Sequence, residues 1–356
     1  MGDLGGGSLE LAFVSQGAQS GGVTLPFGPL RLMDLSDGKP DKARAIVDEG
    51  LEKLPSIEKL KGKSLYAVGG VWRNIARMHL DNIQYPVQVL HQYEIQRDRA
   101  LDFAQFVAGL SRKSLESTTG VSRKRAETIP YGAIVLERLL KVAKLDRVVI
   151  SAFGVREGFL FQRLHADERA RDPLLAACEE IAARMGREPT LGRVLERWTA
   201  PLFTGEDKAF DRLRRAACHL ADAGWRAHPD HRAELAYSQM LYAPFIGIDH
   251  YKRLMLALTL FHRYGGDDEK LVKRAQRFIG EDAARQAQVL GFALRAALVL
   301  AGPAPAVLSE SSVRLTPASL VVSLPKQNQP LIAEAMTKRL DTLATAFGRT
   351  LKFDLK

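Results

Sequence analysis

Apolar positions in the first 160 residues switch between two spacings. From Ser8 to Phe13, Leu9, Leu11 and Phe13 alternate with Ser8, Glu10 and Ala12, the period of a strand with one buried face. Thr24 to Met33 reads as a strand punctuated by proline and glycine. Asp41 to Leu54 instead places Ala43, Ala45, Ile46, Leu51 and Leu54 at helical spacing. Ser64 to Val68 is a short apolar strand running into Gly69-Gly70 and a helix from Asn74 to His79. Tyr85 to Ile95 leads to a helix from Gln96 to Leu110, a second spans Gly132 to Ala143, and Arg147 to Ser151 is a buried β-branched strand. Strands alternating with crossover helices make this part α/β.

Beyond Leu164 the period becomes helical throughout. Helices are expected over Pro173 to Met185, Thr190 to Trp198, Lys208 to Trp225, His231 to Leu241 and His250 to Tyr264, then Glu269 to Leu300 with a break near Gly280. A proline- and alanine-rich linker, Gly302 to Ser309, precedes two short strands between Val313 and Leu324, a helix from Leu331 to Phe347 and a closing strand, Thr350 to Leu355. The expected architecture is α/β plus all-α, in three parts: 1–163, a helical 164–302, and a small α+β cap at 310–356.

Composition narrows the function classes. At 356 residues, 46% hydrophobic and 26% charged, the chain can bury a sizeable core. Two cysteines, Cys178 and Cys218, cannot build a disulfide framework and favour a reducing compartment, the cytoplasm. The strongest apolar run, Phe292 to Ala301, is too short to span a bilayer and is interrupted by Arg295. A formal charge of +10 favours polyanionic partners, although no nucleic-acid motif accompanies it.

Two stretches carry candidate chemistry. Asp3-Leu4-Gly5-Gly6-Gly7-Ser8 sets three glycines between an aspartate and a serine, a tight turn ahead of a strand. The N–H groups of Gly5, Gly6, Gly7 and Ser8 can form a concave nest for an anion, and Asp3 can hold a divalent cation. An ordinary hairpin turn is the plain alternative. The second stretch is Gly69-Gly70 at a strand-to-helix junction, where a phosphate can approach unpaired helix N–H groups. Close helix–sheet packing explains such a pair equally well.

These residues resemble the exopolyphosphatase and guanosine pentaphosphate phosphohydrolase family of the sugar kinase, heat-shock protein and actin superfamily. Asp3 to Leu11 is similar to its second phosphate-binding loop and Gly69-Gly70-Val71-Trp72-Arg73 to its glycine-glycine-threonine-x-arginine motif, with Val71-Trp72 in place of small residues. Arg123 to Pro130 resembles the arginine-alanine-aspartate stretch, and Gly154-Val155-Arg156-Glu157-Gly158 the glycine-x-arginine-glutamate-glycine signature, with Arg156-Glu157 expected as an ion pair. The resemblance implies an actin-like (ribonuclease H-like) half domain lacking the family's N-terminal subdomain. A first phosphate loop and the catalytic base would then lie upstream, so no catalytic residue is assigned and the chain alone is expected to be inactive. It further implies Mg2+ at Asp3, phosphate on Gly5, Gly6, Gly7, Ser8, Gly69 and Gly70, and a supporting role for Glu10; Arg123, Lys124 and Arg125 read as a solvated loop, with guidance of a polyphosphate chain the alternative. The expected reaction is release of terminal phosphate from inorganic polyphosphate. Guanosine pentaphosphate hydrolysis and a non-catalytic binding or dimerisation role are the alternatives, and a homodimer is implied. The helical part resembles the family's HD-like module, but Leu220-Ala221-Asp222-Ala223-Gly224 stands where the family reads leucine-histidine-glutamate-x-glycine. Ala221 removes an imidazole ligand, and His219, His228, His231 and His262 are expected as solvated or core groups rather than metal ligands.

Overall fold

The computed structural model describes residues 1–55, 57–118, 123–302 and 305–356, without the side chains of Arg123 and Lys124. The chain divides into two compact units, Met1–Arg169 and Ala170–Lys356.

The first unit is built on a six-stranded sheet: β1 (Gly2–Leu4), β2 (Leu9–Ser15), β3 (Ala18–Leu25), β4 (Ser64–Val68), β5 (Tyr93–Gln96) and β6 (Arg147–Ile150), in the order β3-β2-β1-β4-β6-β5. The first three form an antiparallel meander, whereas β1, β4 and β6 run parallel and β5 closes the edge antiparallel to β6. Parallel neighbours need crossovers: Pro40–Glu52 lies on the path from β1 to β4, and Gly70–Asn82, Arg97–Ala108 and Ile129–Val142 on the path from β4 to β6. Ile129–Val142 is apolar almost all round and is the most deeply buried of these, with Ile134, Val135 and Leu139 fully enclosed. It meets Gly70–Asn82 closely: a Cβ added at Gly132 would lie 2.2 Å from Val71 Cγ1, and Trp72 Nε1 donates to Gly132 O at 3.0 Å.

The expected strand at Thr24 to Met33 is corrected. β3 ends at Leu25, and Pro29–Leu35 is a helix. Pro29 was weighed as a strand breaker, but its fixed φ and missing N–H suit the first helical position, and Leu32 behind it is fully buried. The expected linker is corrected likewise, since Pro305–Glu310 is a helix that buries Leu308. Residues 303 and 304 of that stretch lie outside the described residues.

The second unit is helical and then mixed. Its centre is the pair His250–Arg263 and Glu281–Ala301, which pack along each other. Glu269–Ile279 ends at Gly280, whose φ of +84° makes the break expected there. A three-stranded sheet of β7 (Ser312–Leu315), β8 (Ser319–Leu324) and β9 (Thr350–Leu355), in the order β7-β8-β9, joins the helix Glu334–Ala346 in the same unit. No described helix is long and apolar enough to cross a membrane.

Gly132→Ala tests the packing that seats the first-unit helices. Alanine is the better helix former by about 0.5–1 kcal/mol, whereas forcing a methyl into Val71 costs about 1–3 kcal/mol, so the clash wins. The urea midpoint is expected to fall, and Gly132→Ala with Val71→Ala to recover part of the loss. A midpoint unchanged or raised in Gly132→Ala contradicts the contact.

Candidate phosphate site

Three of the sheet's strands end at one edge with glycine. β1 runs into Gly5-Gly6-Gly7, β4 into Gly69-Gly70, and β6 into the stretch leading to Gly154. Parallel strands in α/β sheets present their ligand sites at their carboxyl ends, and β1 and β4 are neighbours, Asp3 pairing with Val68. Gly69 is required by geometry: its φ is +120°, and a Cβ there would lie 2.4 Å from Leu4 O. Gly28 is required too, since its Cβ would lie 2.3 Å from Ser8 N and 2.3 Å from Gly7 C. The helix that follows Gly28 braces the hairpin from behind, Leu30 N donating to Gly6 O at 3.0 Å.

The hairpin glycines are different. Gly5, Gly6 and Gly7 have no positive φ and all three are exposed. A Cβ at Gly7 meets nothing within 4 Å, at Gly5 only Ser8 beyond 3.5 Å, and at Gly70 nothing within 4 Å. At Gly5, Gly7 and Gly70 neither backbone strain nor crowding calls for glycine, whereas a Cβ at Gly6 would lie 3.3 Å from Leu30 Cδ1. Gly5 N donates to Ser8 O at 3.0 Å, closing the turn, while the N–H groups of Gly6, Gly7 and Ser8 meet no protein acceptor among the described residues. The helix Gly70–Asn82 likewise begins without a side-chain cap, leaving its first N–H groups open. Val71 and Trp72 turn away from this opening, against Ile129–Val142.

Charge at the site is carried by Asp3, Glu10 and Arg73. Asp3 and Glu10 sit in register across β1 and β2. Burial first, then the facing Glu10 carboxylate, push the Asp3 carboxyl above its ordinary range, with Arg73 opposing. Ser8 Oγ donates to Glu10 Oε1 at 2.5 Å, so the serine hydroxyl is engaged in the hairpin and only its N–H stays open. Arg73 ties two strand ends together, Nε donating to Gly69 O at 3.3 Å and Nη1 to Ala152 O at 3.1 Å. Arg73 stands in sequence inside the Gly-Gly-x-x-Arg stretch, the one signal that marked it; Gly28 carried none beyond Phe-Gly-Pro punctuation.

The expected Arg156-Glu157 ion pair is corrected. Glu157 Oε2 accepts from Gly154 N at 2.7 Å, capping the helix Val155–Arg163, and that N–H is the main cause of its lowered pKa. Of the expected basic guide, Arg125 Nη1 donates to Asn74 Oδ1 at 3.4 Å, and the side chains of Arg123 and Lys124 lie outside the described residues. In the second unit, His219 Nε2 stands 2.7 Å from Glu196 Oε1, Asp222 is held bidentately by Arg187, and His228 and His231 are exposed. His262 is buried, its pKa pushed down to about 4 by burial. Among the described residues no group of three or more His, Cys, Asp and Glu side chains gathers as a metal cage.

Asp3 makes a pH signature. The folded chain holds its proton more tightly than the unfolded chain, so this carboxyl stabilises only at acid pH, and that contribution is lost as pH rises through its raised pKa. Asp3→Asn is therefore expected to melt above the parent at pH 7, with the gap closing below the ordinary aspartate pKa. An Asp3→Asn melting temperature below the parent's at pH 7 contradicts the assignment.

Residues 1–167 match the Ppx/GppA phosphatase family and residues 174–354 the family described as exopolyphosphatase, C-terminal. Retrograde regulation protein 2 of Saccharomyces cerevisiae is 26% identical over 298 residues, 74% of this chain and 49% of that protein. Two solved structures are also similar. The Aquifex aeolicus Ppx/GppA phosphatase is 22% identical over 46% of this chain and 56% of its own, with a TM-score of 0.39. A Cytophaga hutchinsonii exopolyphosphatase is 17% identical over 45% and 55%, with a TM-score of 0.40. The chain spans about half the length of these relatives. With the two family matches covering nearly all of its residues, the chain belongs to the Ppx/GppA phosphatase family.

Proposed function

We propose that this chain carries the phosphate-gripping half of an exopolyphosphatase-type phosphohydrolase, which releases terminal phosphate from inorganic polyphosphate. The observation that carries the reading is the main chain at Gly6, Gly7 and Ser8, whose N–H groups meet no protein acceptor among the described residues, beside a Gly7 that neither packing nor backbone strain requires. Such N–H groups are positioned to stabilise the equatorial oxygens of a transferring phosphoryl group as charge builds on them. Arg73, by bonding Gly69 O and Ala152 O, fixes the edges of the hollow.

The donor set suits Mg2+. Two carboxylates in register, one with its pKa raised partly by the other, leave a surplus of negative charge that a dication relieves. Few protein ligands match an ion that keeps its waters and takes substrate oxygens. Asp3 would hold it, with Glu10 behind. When bound, Mg2+ supplies charge neutralisation at the phosphoryl group. Asp3 and Glu10 themselves keep the hairpin and cation side in register, and Glu10 holds the Ser8 hydroxyl, which donates to Glu10 Oε1.

Guanosine pentaphosphate differs only in its leaving group, and the two substrates part in a side-by-side turnover assay. A binding or dimerisation role is favoured by the helix Val155–Arg163, where Val155 is 80% and Leu160 65% exposed. A homodimer in a reducing compartment fits both that face and the two buried free thiols.

In a form of the gene product that does release phosphate, Asp3→Asn and Gly6→Val are each expected to lower turnover by about 100-fold or more, with far-UV circular dichroism unchanged. Turnover unaffected in both variants rejects the proposal.

A further inference from the structure

The third strand end at the glycine edge is built differently from the hairpin. From Ser151 to Gly154 every N–H is already taken. Ser151 N donates to Ala67 O at 2.9 Å, Ala152 N to His91 Nδ1 at 3.4 Å, Phe153 N to Ser151 Oγ at 3.2 Å and Gly154 N to Glu157 Oε2 at 2.7 Å. Where Gly6, Gly7 and Ser8 offer donors, this stretch has none to offer, and its part is support. The support converges on one peptide. Ala152 is gripped on both sides, its N–H by His91 and its carbonyl by Arg73 Nη1 at 3.1 Å.

His91 is seated by the sheet. It precedes β5, and Gln92 N donating to Ile150 O at 2.9 Å, with Tyr93 paired to Ile150, sets it beside the end of β6. The half-buried imidazole meets the Phe153 ring edge-on, 4.7 Å between centroids at 71°, which fixes the plane of the ring. A main-chain N–H can only donate, so Nδ1 is the bare nitrogen and the proton of the neutral ring sits on Nε2. On the far side of the Ala152 peptide, Arg73 also donates through Nε to Gly69 O at 3.3 Å. One line of bonds therefore runs from His91 through Ala152 and Arg73 to Gly69, the residue that opens the helix Gly70–Asn82. Arg73 is also close enough to Asp3 to oppose the rise of its pKa.

Ligand-binding groups keep their geometry only when the residues behind them are themselves held. We propose that His91 is a positioning residue of the phosphate site: by holding the Ala152 peptide it places the carbonyl that anchors Arg73, and so sets the guanidinium between the Gly69 edge and the Ala152 edge. This rests on the phosphate reading of the hairpin and extends it to a residue outside the glycine motifs. Satisfying the Ala152 N–H also stabilises the fold in its own right. Positioning differs from that gain in one respect, since it acts through Arg73.

The test is titration of orthophosphate in Mg2+ into the full isotope-labelled chain, with affinity read from the N–H signals of Gly6, Gly7 and Ser8. His91→Leu, folded by circular dichroism, is expected to weaken phosphate about fivefold, the worth of one hydrogen bond. His91→Asn, whose Oδ1 can accept where Nδ1 does, is expected to return to within about twofold of the parent. Arg73→Gln should weaken binding as well, and in that background His91→Leu should cost less than about twofold more, as residues acting in series require. His91→Leu within about twofold of the parent overturns the inference, and so does an undiminished fivefold loss on top of Arg73→Gln. Hairpin signals of the parent that ignore phosphate reject the phosphate reading and this inference together; responsive signals with an unaffected His91→Leu reject this inference alone. A His91→Leu chain that fails to fold leaves a measurement on the unmodified one: the ring nitrogen shifts of His91 should show Nδ1 bare and Nε2 protonated, and the opposite tautomer overturns the assignment.

Discussion

Main chain touching main chain at the ends of β1 and β4 is the constraint on which the first unit depends. A single methyl at Gly69 would enter Leu4 O, and one at Gly28 would enter the peptide between Gly7 and Ser8. These contacts bring the hairpin and the start of the helix Gly70–Asn82 to one edge, where two sets of main-chain N–H groups lack protein acceptors. Glycine thus plays opposite parts within a few residues. At Gly28 and Gly69 it permits contact; at Gly5, Gly7 and Gly70 it preserves space.

Charge is arranged at the same edge at some cost to the fold. Asp3 and Glu10 face each other across two strands, and a pair of carboxylates in register is unfavourable in an empty site. Strain of this kind concentrates where a ligand repays it. Elsewhere in the unit, acids are neutralised in the usual way: Glu137, nearly fully buried, is met by Arg44 Nε at 3.0 Å and Lys141 Nζ at 3.0 Å. Glu137 is thus neutralised by two cations, whereas Asp3 faces a second carboxylate.

Much of this was legible in the sequence, for identifiable reasons. Alternating Leu9, Leu11 and Phe13, the β-branched Arg147 to Ser151 and the helical spacing of the second half each follow from one dominant period, and these elements stand where the pattern puts them. The Asp3 to Ser8 hairpin was visible because three consecutive glycines have few explanations. What failed were prolines. Pro29 and Pro305 read as breakers in a linear pattern, whereas each opens a helix, a position that only the downstream turn reveals. Tertiary pairings were also hidden: nothing in Arg156-Glu157 says that the carboxylate will cap Gly154 rather than meet its neighbour. Arg73 lay inside a noted motif, but its bridge to Ala152 spans 79 residues of sequence.

The central claim concerns four peptide groups, and amide resonances report on them directly. Titration of Mg2+ and orthophosphate into isotope-labelled protein is the decisive measurement. The account predicts that the N–H signals of Gly6, Gly7 and Ser8 move downfield together and saturably while that of Gly5, already bonded to Ser8 O, stays nearly fixed. Signals of Gly6, Gly7 and Ser8 that remain in place at saturating phosphate would contradict it.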